Sequence, residues 1–348
     1  MSEVRFGTQA APGTHGGAGE AVSLSCTARL HLGFLDLHGG LGRRFGSIGL
    51  SLDRPHTALR LSRAPRRSVS GPEAARAGAH LDAMQRHLGI DGPLALEVRS
   101  AIPAHSGLGS GTQLALLVAT AVRRLHGLPD DLRGDARRLG RGARSGVGIG
   151  LFRSGGLVVD GGGALARDAG AQPAGQGDRP GQGMPPLLCR LAVPEEWRVL
   201  LVLDRAAHGL SGAGERAAFA ALPPMPESVA GEICRRVLMQ ALPAVAEADL
   251  ASFGEAITRI QALLGDYFAP AQGGRFTSPA VAGVMAALAE AGAVGIGQSS
   301  WGPSGFAFVE GEAAAVRLHK AVSLPEGVDL LVCRGLNRGA TGPASGPG

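Results

Sequence analysis

A loop of alternating glycines leads directly into the most regular apolar pattern of the chain. The loop reads Pro-Ala-His-Ser-Gly-Leu-Gly-Ser-Gly-Thr-Gln and covers residues 103–113. Gly107, Gly109 and Gly111 let the backbone turn tightly and bring its N–H groups close to a ligand. Apolar residues then recur at helical spacing from 114 to 125, which predicts an amphipathic helix. The chain is therefore expected to fold around a helix that begins at a tight glycine turn.

The start of this helix has the features of a phosphate site. Ser110 stands at the expected N-cap and Gln113 follows three residues later, which is the spacing of a capping box. The N-terminal end of a helix presents unpaired N–H groups and the positive end of the helix dipole, and both favour an anion. The alternative is that Ser110 only caps a helix after an ordinary turn, so the loop alone does not decide the function.

The composition indicates a globular protein with an aliphatic core. Apolar residues make up 45% of the 348 residues and aromatic residues 4%, which is enough for one large domain or two smaller ones. The net charge of +5 is not arranged as a basic block with interleaved aromatic residues, so no nucleic-acid surface is expected. No apolar signal segment or membrane-length apolar run is present, so we expect a cytoplasmic protein that acts on small molecules away from membranes.

Two residue types limit the chemistry. Lys320 is the single lysine, which excludes a lysine-containing P-loop at the glycine turn and disfavours Schiff-base catalysis. The four cysteines lie far apart and fit neither zinc-site nor CxxC spacing, which indicates free thiols in a reducing compartment. They are Cys26, Cys189, Cys234 and Cys333.

The order of the segments predicts a two-lobed α+β protein. Strand-like segments dominate the first part of the chain, helices prevail later, and no strict βαβ repeat occurs. Residues 1–20 are expected to be disordered, and residues 21–186 to form the first lobe with a low-complexity insert at 161–186. Residues 187–336 are expected to form the second lobe and residues 337–348 a flexible tail.

An alternating segment early in the chain carries candidate ligand-binding residues. Residues 27–36 read Thr-Ala-Arg-Leu-His-Leu-Gly-Phe-Leu-Asp, which predicts an extended strand with Arg29 and His31 on one face. Both side chains suit a phosphate or carboxylate through charge-assisted hydrogen bonds, and the alternative is an exposed strand face. Asp36 could hold a metal or a ribose hydroxyl, or it could form the turn before the following His-Gly-Gly.

Two further glycine-rich elements complete a family pattern. One reads Arg144-Ser-Gly-Val-Gly-Ile-Gly150 and is expected to run into a strand at Leu151–Phe152, and the other covers residues 295–305. With the first loop, these elements make the sequence resemble the GHMP kinase superfamily, which implies an N-terminal S5-like lobe and a C-terminal ferredoxin-like lobe. The kinases often carry an aspartate where this chain has Gly148. Because a phosphotransferase needs a group to position the attacking hydroxyl, kinase activity is not the first expectation.

One branch of this superfamily is more similar. The segments 28–36, 107–113, 144–150 and 297–303 resemble those of the β-ribofuranosylaminobenzene 5′-phosphate synthases of methanopterin biosynthesis. This resemblance implies a pentosyltransferase that condenses 4-aminobenzoate with 5-phosphoribosyl 1-diphosphate and releases CO₂ and pyrophosphate. It also implies Mg²⁺ with the diphosphate, without identifying ligands for it, and a homodimer. The alternatives are a small-molecule kinase that uses ATP and a non-catalytic homologue that binds a metabolite.

The resemblance assigns roles to residues of all four segments. Ser110, Arg29 and His31 are expected to act in catalysis. The residues expected to bind substrate are Asp36, Gly107, Leu108, Gly109, Gly111, Thr112, Gln113, Arg144, Ser145, Gly146, Ser299, Ser300 and Trp301.

Overall fold

The first of two sheets is built on one very long strand. The computed structural model describes residues 20–165, 184–207, 209 and 212–341, with the backbone alone at 212–216. The strands of the first sheet are β1 (Ala21–Asp36), β2 (Arg43–Arg63), β3 (Ser68–Ser70), β4 (Leu94–Ser100), β5 (Leu157–Asp160), β6 (Gly163–Ala164) and β7 (Leu187–Leu191). The order is β3-β4-β2-β5-β7, and β1 and β6 also pair with β2. All pairs except β3–β4 are antiparallel.

Four helices cover this sheet. They are α1 (Ala74–Leu88), α2 (Ser110–Leu125), α3 (Leu132–Arg138) and α4 (Val147–Ser154). The helix predicted after the glycine loop is α2, and nearly all of its residues from Gln113 onward are buried. It lies between β1, β2 and its neighbouring helices, so the sheet and the other helices fix the position of its N-terminus.

The second sheet is antiparallel, in the order β11-β8-β10-β9. Its strands are β8 (Trp197–Asp204), β9 (Val294–Gln298), β10 (Ser304–Glu310) and β11 (Val328–Arg334). The helices of this half are α5 (Gly212–Ala221), α6 (Glu227–Arg236), a π-helical turn (Val237–Ala241), α7 (Leu242–Glu247), α8 (Leu250–Gln272), α9 (Pro279–Glu290) and α10 (Glu312–Ala321). The two-lobed α+β prediction is confirmed. One apolar cluster joins β1 of the first lobe to β8 and α8 of the second, so the lobes share a core. Among the described helices, none has the length and apolar character that a membrane crossing requires.

The structure corrects several local expectations. Leu151–Phe152 is helical rather than extended, because α4 continues through it to Ser154. Strand β7 pairs with β5, so the first sheet extends beyond the expected boundary at residue 186. The expected tail is fixed at its start, since Thr341 bridges to Ser25. Helix α5 was not predicted, and residues 1–19, 166–183 and 342–348 lie outside the described part.

Candidate active site

The N-terminus of α2 is open toward a ligand. Gly109, with φ of 78°, is its N-cap, so Ser110 is the first helical residue and no side chain caps the helix. The predicted capping box is therefore wrong, because left-handed Gly109 already turns its carbonyl to accept from the amides of Thr112 and Gln113. The amides of Ser110 and Gly111 precede the first intrahelical hydrogen bonds, so they are available to an anion.

Three arginines from separate elements converge on this helix end. Arg29 on β1 donates from Nη1 to the Gly107 carbonyl at 2.8 Å. A Cβ added at Gly111 would lie 3.0 Å from a terminal nitrogen of both Arg76, on α1, and Arg141, after α3. Burial, and then the charge of Arg76, lower the pKa of Arg141. The loop is thus surrounded by positive charge, which favours an anion of high charge.

His80 belongs to the same charged cluster. Burial, together with Arg141 and Arg76, lowers its pKa to about 4, so the ring is neutral near pH 7. Its Nε2 is buried and has no hydrogen-bond partner among the residues that the structure describes. Sequence reasoning missed Arg76, His80 and Arg141 because none lies in a glycine-rich motif. The spacing of Arg76 and His80, one helical turn apart on α1, was the available signal.

Asp160 on β5 holds the second glycine-rich element through hydrogen bonds. Sequence reasoning also missed this residue. This carboxylate accepts from the amides of Gly146 at 2.9 Å and Val147 at 3.1 Å, and from the Ser145 hydroxyl at 3.2 Å. The Ser145 hydroxyl and the Gly146 amide are therefore engaged in hydrogen bonds within the protein. Gly148 packs on Thr112, where an added Cβ would lie 3.3 Å from a Thr112 methyl.

Gln113 and Ser299 join the three glycine-rich elements to one another through side-chain hydrogen bonds. Gln113 donates from its side chain to the Gly148 carbonyl at 2.9 Å. Ser299 donates to the Gly107 carbonyl at 2.9 Å and accepts from the His31 amide at 3.0 Å. Gly107 has φ of 83°, and a Cβ there would overlap the Ser299 carbonyl. Gln113 and Ser299 thus fix the shape of the site through buried hydrogen bonds.

A cavity between the lobes lies beside this junction. His31 and Phe34 contribute from β1, Phe268 and Arg275 from α8 and the chain that follows it, and Trp301 from the third glycine-rich element. The cavity is narrow, with a volume of about 30 Å³, and it opens to solvent. The ring of His31 meets that of Phe34 at 4.6 Å, and the Trp301 indole meets Phe268 edge to face at 4.9 Å.

The remaining predicted residues have separate positions. Leu108 is fully buried in the shared core, so its side chain faces away from solvent. Asp36 accepts from the amides of the next turn, His38 at 2.7 Å among them, as the turn-forming alternative required. Arg144 lies over the Phe219 ring at 5.2 Å. Ser300, with φ of 58°, lines the cavity.

The residues near the loop do not form a cation site of their own. Within the described residues, no group of three His, Cys, Asp or Glu side chains comes together. Glu73, the carboxylate on the near end of α1, pairs with Arg76 at 2.7 Å, and Asp160 is occupied by four hydrogen bonds. The donor set does not fit a protein-held Mg²⁺, so that ion stays a prediction of the resemblance.

We expect His31 to make the protein less stable in mild acid. Burial and Arg29 lower its pKa from 6.5 to about 3, so below pH 6.5 the unfolded chain takes up a proton that the folded chain does not. Stability is therefore lost as the pH falls through this window, by about 1.4 kcal/mol per pH unit, or about 2 kcal/mol between pH 6.5 and 5. Urea unfolding at a series of pH values measures this loss.

The variant His31→Asn should lose less stability than wild type over the same window. His87→Asn, at an exposed position on α1, is the matched control and should keep the wild-type dependence. An unchanged pH dependence in His31→Asn would contradict the assignment. Paired carboxylates such as Asp131, whose pKa is lowered, lose their contribution only below about pH 4 and do not interfere.

Comparisons with known proteins agree with this geometry. The GHMP kinases N terminal domain matches residues 75–152, and the GHMP kinases C terminal family matches residues 241–324. A homoserine kinase from Cytophaga hutchinsonii has a TM-score of 0.58 at 17% identity, covering 93% of this chain and 98% of its own. The mevalonate diphosphate decarboxylase from Staphylococcus aureus has a TM-score of 0.60 at 15% identity, with the same coverage. At these identities the two structures show the fold alone.

Two curated relatives are much more similar in sequence. The beta-ribofuranosylphenol 5′-phosphate synthase of Methanothermobacter thermautotrophicus is 31% identical over 327 residues, which is 91% of this chain and 97% of the relative. The protein of the same name from Archaeoglobus fulgidus is 36% identical over 243 residues, which is 70% of this chain and 76% of the relative. The chain belongs to the β-ribofuranosylphenol 5′-phosphate synthase family, within the GHMP kinase superfamily.

Proposed function

We propose that the protein joins a para-substituted benzoate to the ribosyl group of 5-phosphoribosyl 1-diphosphate and releases CO₂ and pyrophosphate. The product is a ribofuranosyl arene 5′-phosphate, an intermediate of methanopterin synthesis. The observation that carries the proposal is the convergence of Arg29, Arg76 and Arg141 on the open end of α2. This arrangement suits a diphosphate better than a single phosphate, because three guanidinium groups can share its charge.

The first bond change is loss of the diphosphate. The bond between ribose C1 and its oxygen breaks, and the electron pair leaves with pyrophosphate. The arginines and the amides of Ser110 and Gly111 are fixed before the reaction, so they stabilise the charge that develops on the leaving group. Arg29 is itself held by its hydrogen bond to the Gly107 carbonyl.

The second change forms the carbon–carbon bond. The ring carbon that bears the carboxylate attacks ribose C1, and the carboxylate then leaves as CO₂, so its bonding electrons restore the aromatic ring. No general base is required by this sequence. His31, whose pKa is lowered to about 3, is neutral at working pH and serves to position the acceptor. The catalytic role of His31 is therefore not proton abstraction.

The distance between the glycine loop and the aromatic cavity suits a ribosyl group. Arg29 faces the glycine loop and His31 lines the aromatic cavity. Two residues of a strand span about 7 Å, which a ribose can bridge. Trp301, Phe34 and Phe268 supply apolar walls for the acceptor ring.

The acceptor, compartment and assembly complete the proposal. The sequence resemblance implies 4-aminobenzoate, whereas the names of the relatives describe a phenol product, which corresponds to 4-hydroxybenzoate. We place the enzyme in the cytoplasm because the well-separated cysteines suit a reducing compartment, and we propose a homodimer on the resemblance to the superfamily.

The test is release of labelled CO₂ from each carboxyl-labelled acid with 5-phosphoribosyl 1-diphosphate, with and without Mg²⁺. We expect release that requires both substrates and equals the pyrophosphate formed. Reactions without the diphosphate substrate are the control. Absence of CO₂ together with ATP consumption in a screen of alcohols would instead support a kinase, and absence of both would support a binding protein.

A further inference from the structure

Two residues that line the interlobe cavity each have a ring nitrogen with no hydrogen-bond partner in the described part of the chain. His31 and Trp301 are each only 3% exposed, and His31 Nε2 and Trp301 Nε1 are buried and unpaired. Both residues line the same cavity. Buried polar atoms are nearly always hydrogen-bonded, so unpaired nitrogens on two residues of the same cavity point to a polar ligand group as their partner.

Position distinguishes Trp301 from the second tryptophan. Trp197 Nε1 is also buried, with no partner among the described residues, but Trp197 packs on Phe253 at 4.9 Å in the shared core. It does not line the cavity that contains His31. An unpaired indole nitrogen is therefore not sufficient evidence by itself, and the pairing with His31 carries the argument.

We propose that these two nitrogens bind the para-hydroxyl group of the aromatic acceptor, with Trp301 Nε1 donating to the hydroxyl oxygen and the hydroxyl donating to His31 Nε2. This subsite rests on the proposed function and assigns the residues that select the acceptor. Phe34 and Phe268 line the same cavity, so in this arrangement they would contact the ring that carries the hydroxyl.

The chemistry of the two nitrogens favours a hydroxyl over an amino group. The indole N–H is a donor only, and a neutral histidine can accept at one ring nitrogen. Burial keeps His31 neutral, because its pKa is lowered to about 3. A phenolic hydroxyl accepts and donates at the same oxygen, so it satisfies both nitrogens. The lone pair of an aniline nitrogen is delocalised into the ring, so an amino group would leave the indole N–H without an acceptor.

The experiment compares 4-hydroxybenzoate with 4-aminobenzoate in wild type and in Trp301→Phe, which keeps an aromatic ring but removes the N–H. We expect wild type to prefer 4-hydroxybenzoate by about 10-fold to 100-fold in kcat/KM, which is the cost of one buried unpaired donor. In Trp301→Phe this ratio should fall to near one. Trp197→Phe is the matched control and should keep the wild-type ratio.

Calorimetric binding of the two acids in the presence of inorganic diphosphate separates this subsite from the proposed reaction. A binding preference for 4-hydroxybenzoate that Trp301→Phe abolishes supports the subsite even if no CO₂ is released, in which case the proposed function alone fails. His31→Leu provides a second variant if Trp301→Phe does not fold, and it should also reduce the ratio. Equal binding of both acids by wild type, no binding of either, or an unchanged ratio in the variants overturns the subsite.

Discussion

Replacing Arg76 and Arg141 together with methionine should lower kcat/KM for 5-phosphoribosyl 1-diphosphate by about 10³-fold. Both guanidinium groups lie against Gly111 at the open end of α2. A hydrogen bond to a charged group is worth about 1.5–3 kcal/mol, which is roughly 10-fold to 100-fold for each arginine. Methionine keeps much of the apolar stem and removes the charge, so packing is changed little.

Arg141→Met should lower activity without lowering stability. Burial and Arg76 lower the pKa of Arg141, so its charge is unfavourable in the folded protein without a bound anion. We expect Arg141→Met to be at least as stable as wild type in urea unfolding. A group that reduces stability while it binds substrate is typical of a functional site.

The matched control is Arg67→Met, which removes an arginine that pairs with Asp82 at the surface at 2.7 Å. It should change kcat/KM by less than about twofold, as expected for an exposed ion pair. Calorimetric titration with inorganic diphosphate gives a readout that does not depend on turnover. Unchanged diphosphate binding in the double variant would show that the arginines do not form the anion site.

The sequence was sufficient to predict the glycine loop because that signal is local. The positive φ angles of Gly107 and Gly109 and the apolar period of α2 both depend on neighbouring residues. The positions of Arg76 and Arg141 depend on how α1 and the chain after α3 pack on α2. The spacing of Arg76 and His80 places both on one face of α1 but does not say what that face contacts, so two of the three cationic residues were not predicted.

Two motif residues have hydrogen-bond partners that their motifs do not indicate. Gln113 bonds to Gly148, 35 residues away, and Ser299 bonds to Gly107, 192 residues away. Each was expected to bind substrate because it lies in a glycine-rich motif. The structure shows that their polar side chains hold the motifs together, a role that requires knowledge of partners distant in sequence. Because these partners are far apart in sequence, the motifs could be predicted but the hydrogen bonds between them could not.

Asp160→Ala should destabilise the protein by about 3–5 kcal/mol, because it leaves three buried amide N–H groups without their acceptor, at about 1–3 kcal/mol each. The fully buried carboxylate accepts from the amides of Gly146, Val147 and Gly162 and from the hydroxyl of Ser145. Burial raises the pKa of Asp160, and these hydrogen bonds partly offset that effect. The carboxylate also lies at the N-terminus of α4, where negative charge is favourable.

Urea unfolding of three variants tests whether the donors act as a group. Ser145→Ala removes one donor and should cost about 1 kcal/mol. Asp160→Asn keeps the volume but turns an NH₂ group toward N–H donors, so its loss should fall between those of Ser145→Ala and Asp160→Ala. Because Gly148 on α4 packs on Thr112 of the glycine loop, Asp160→Asn should also weaken diphosphate binding. Equal stability of all three variants would mean that Asp160 does not organise this element.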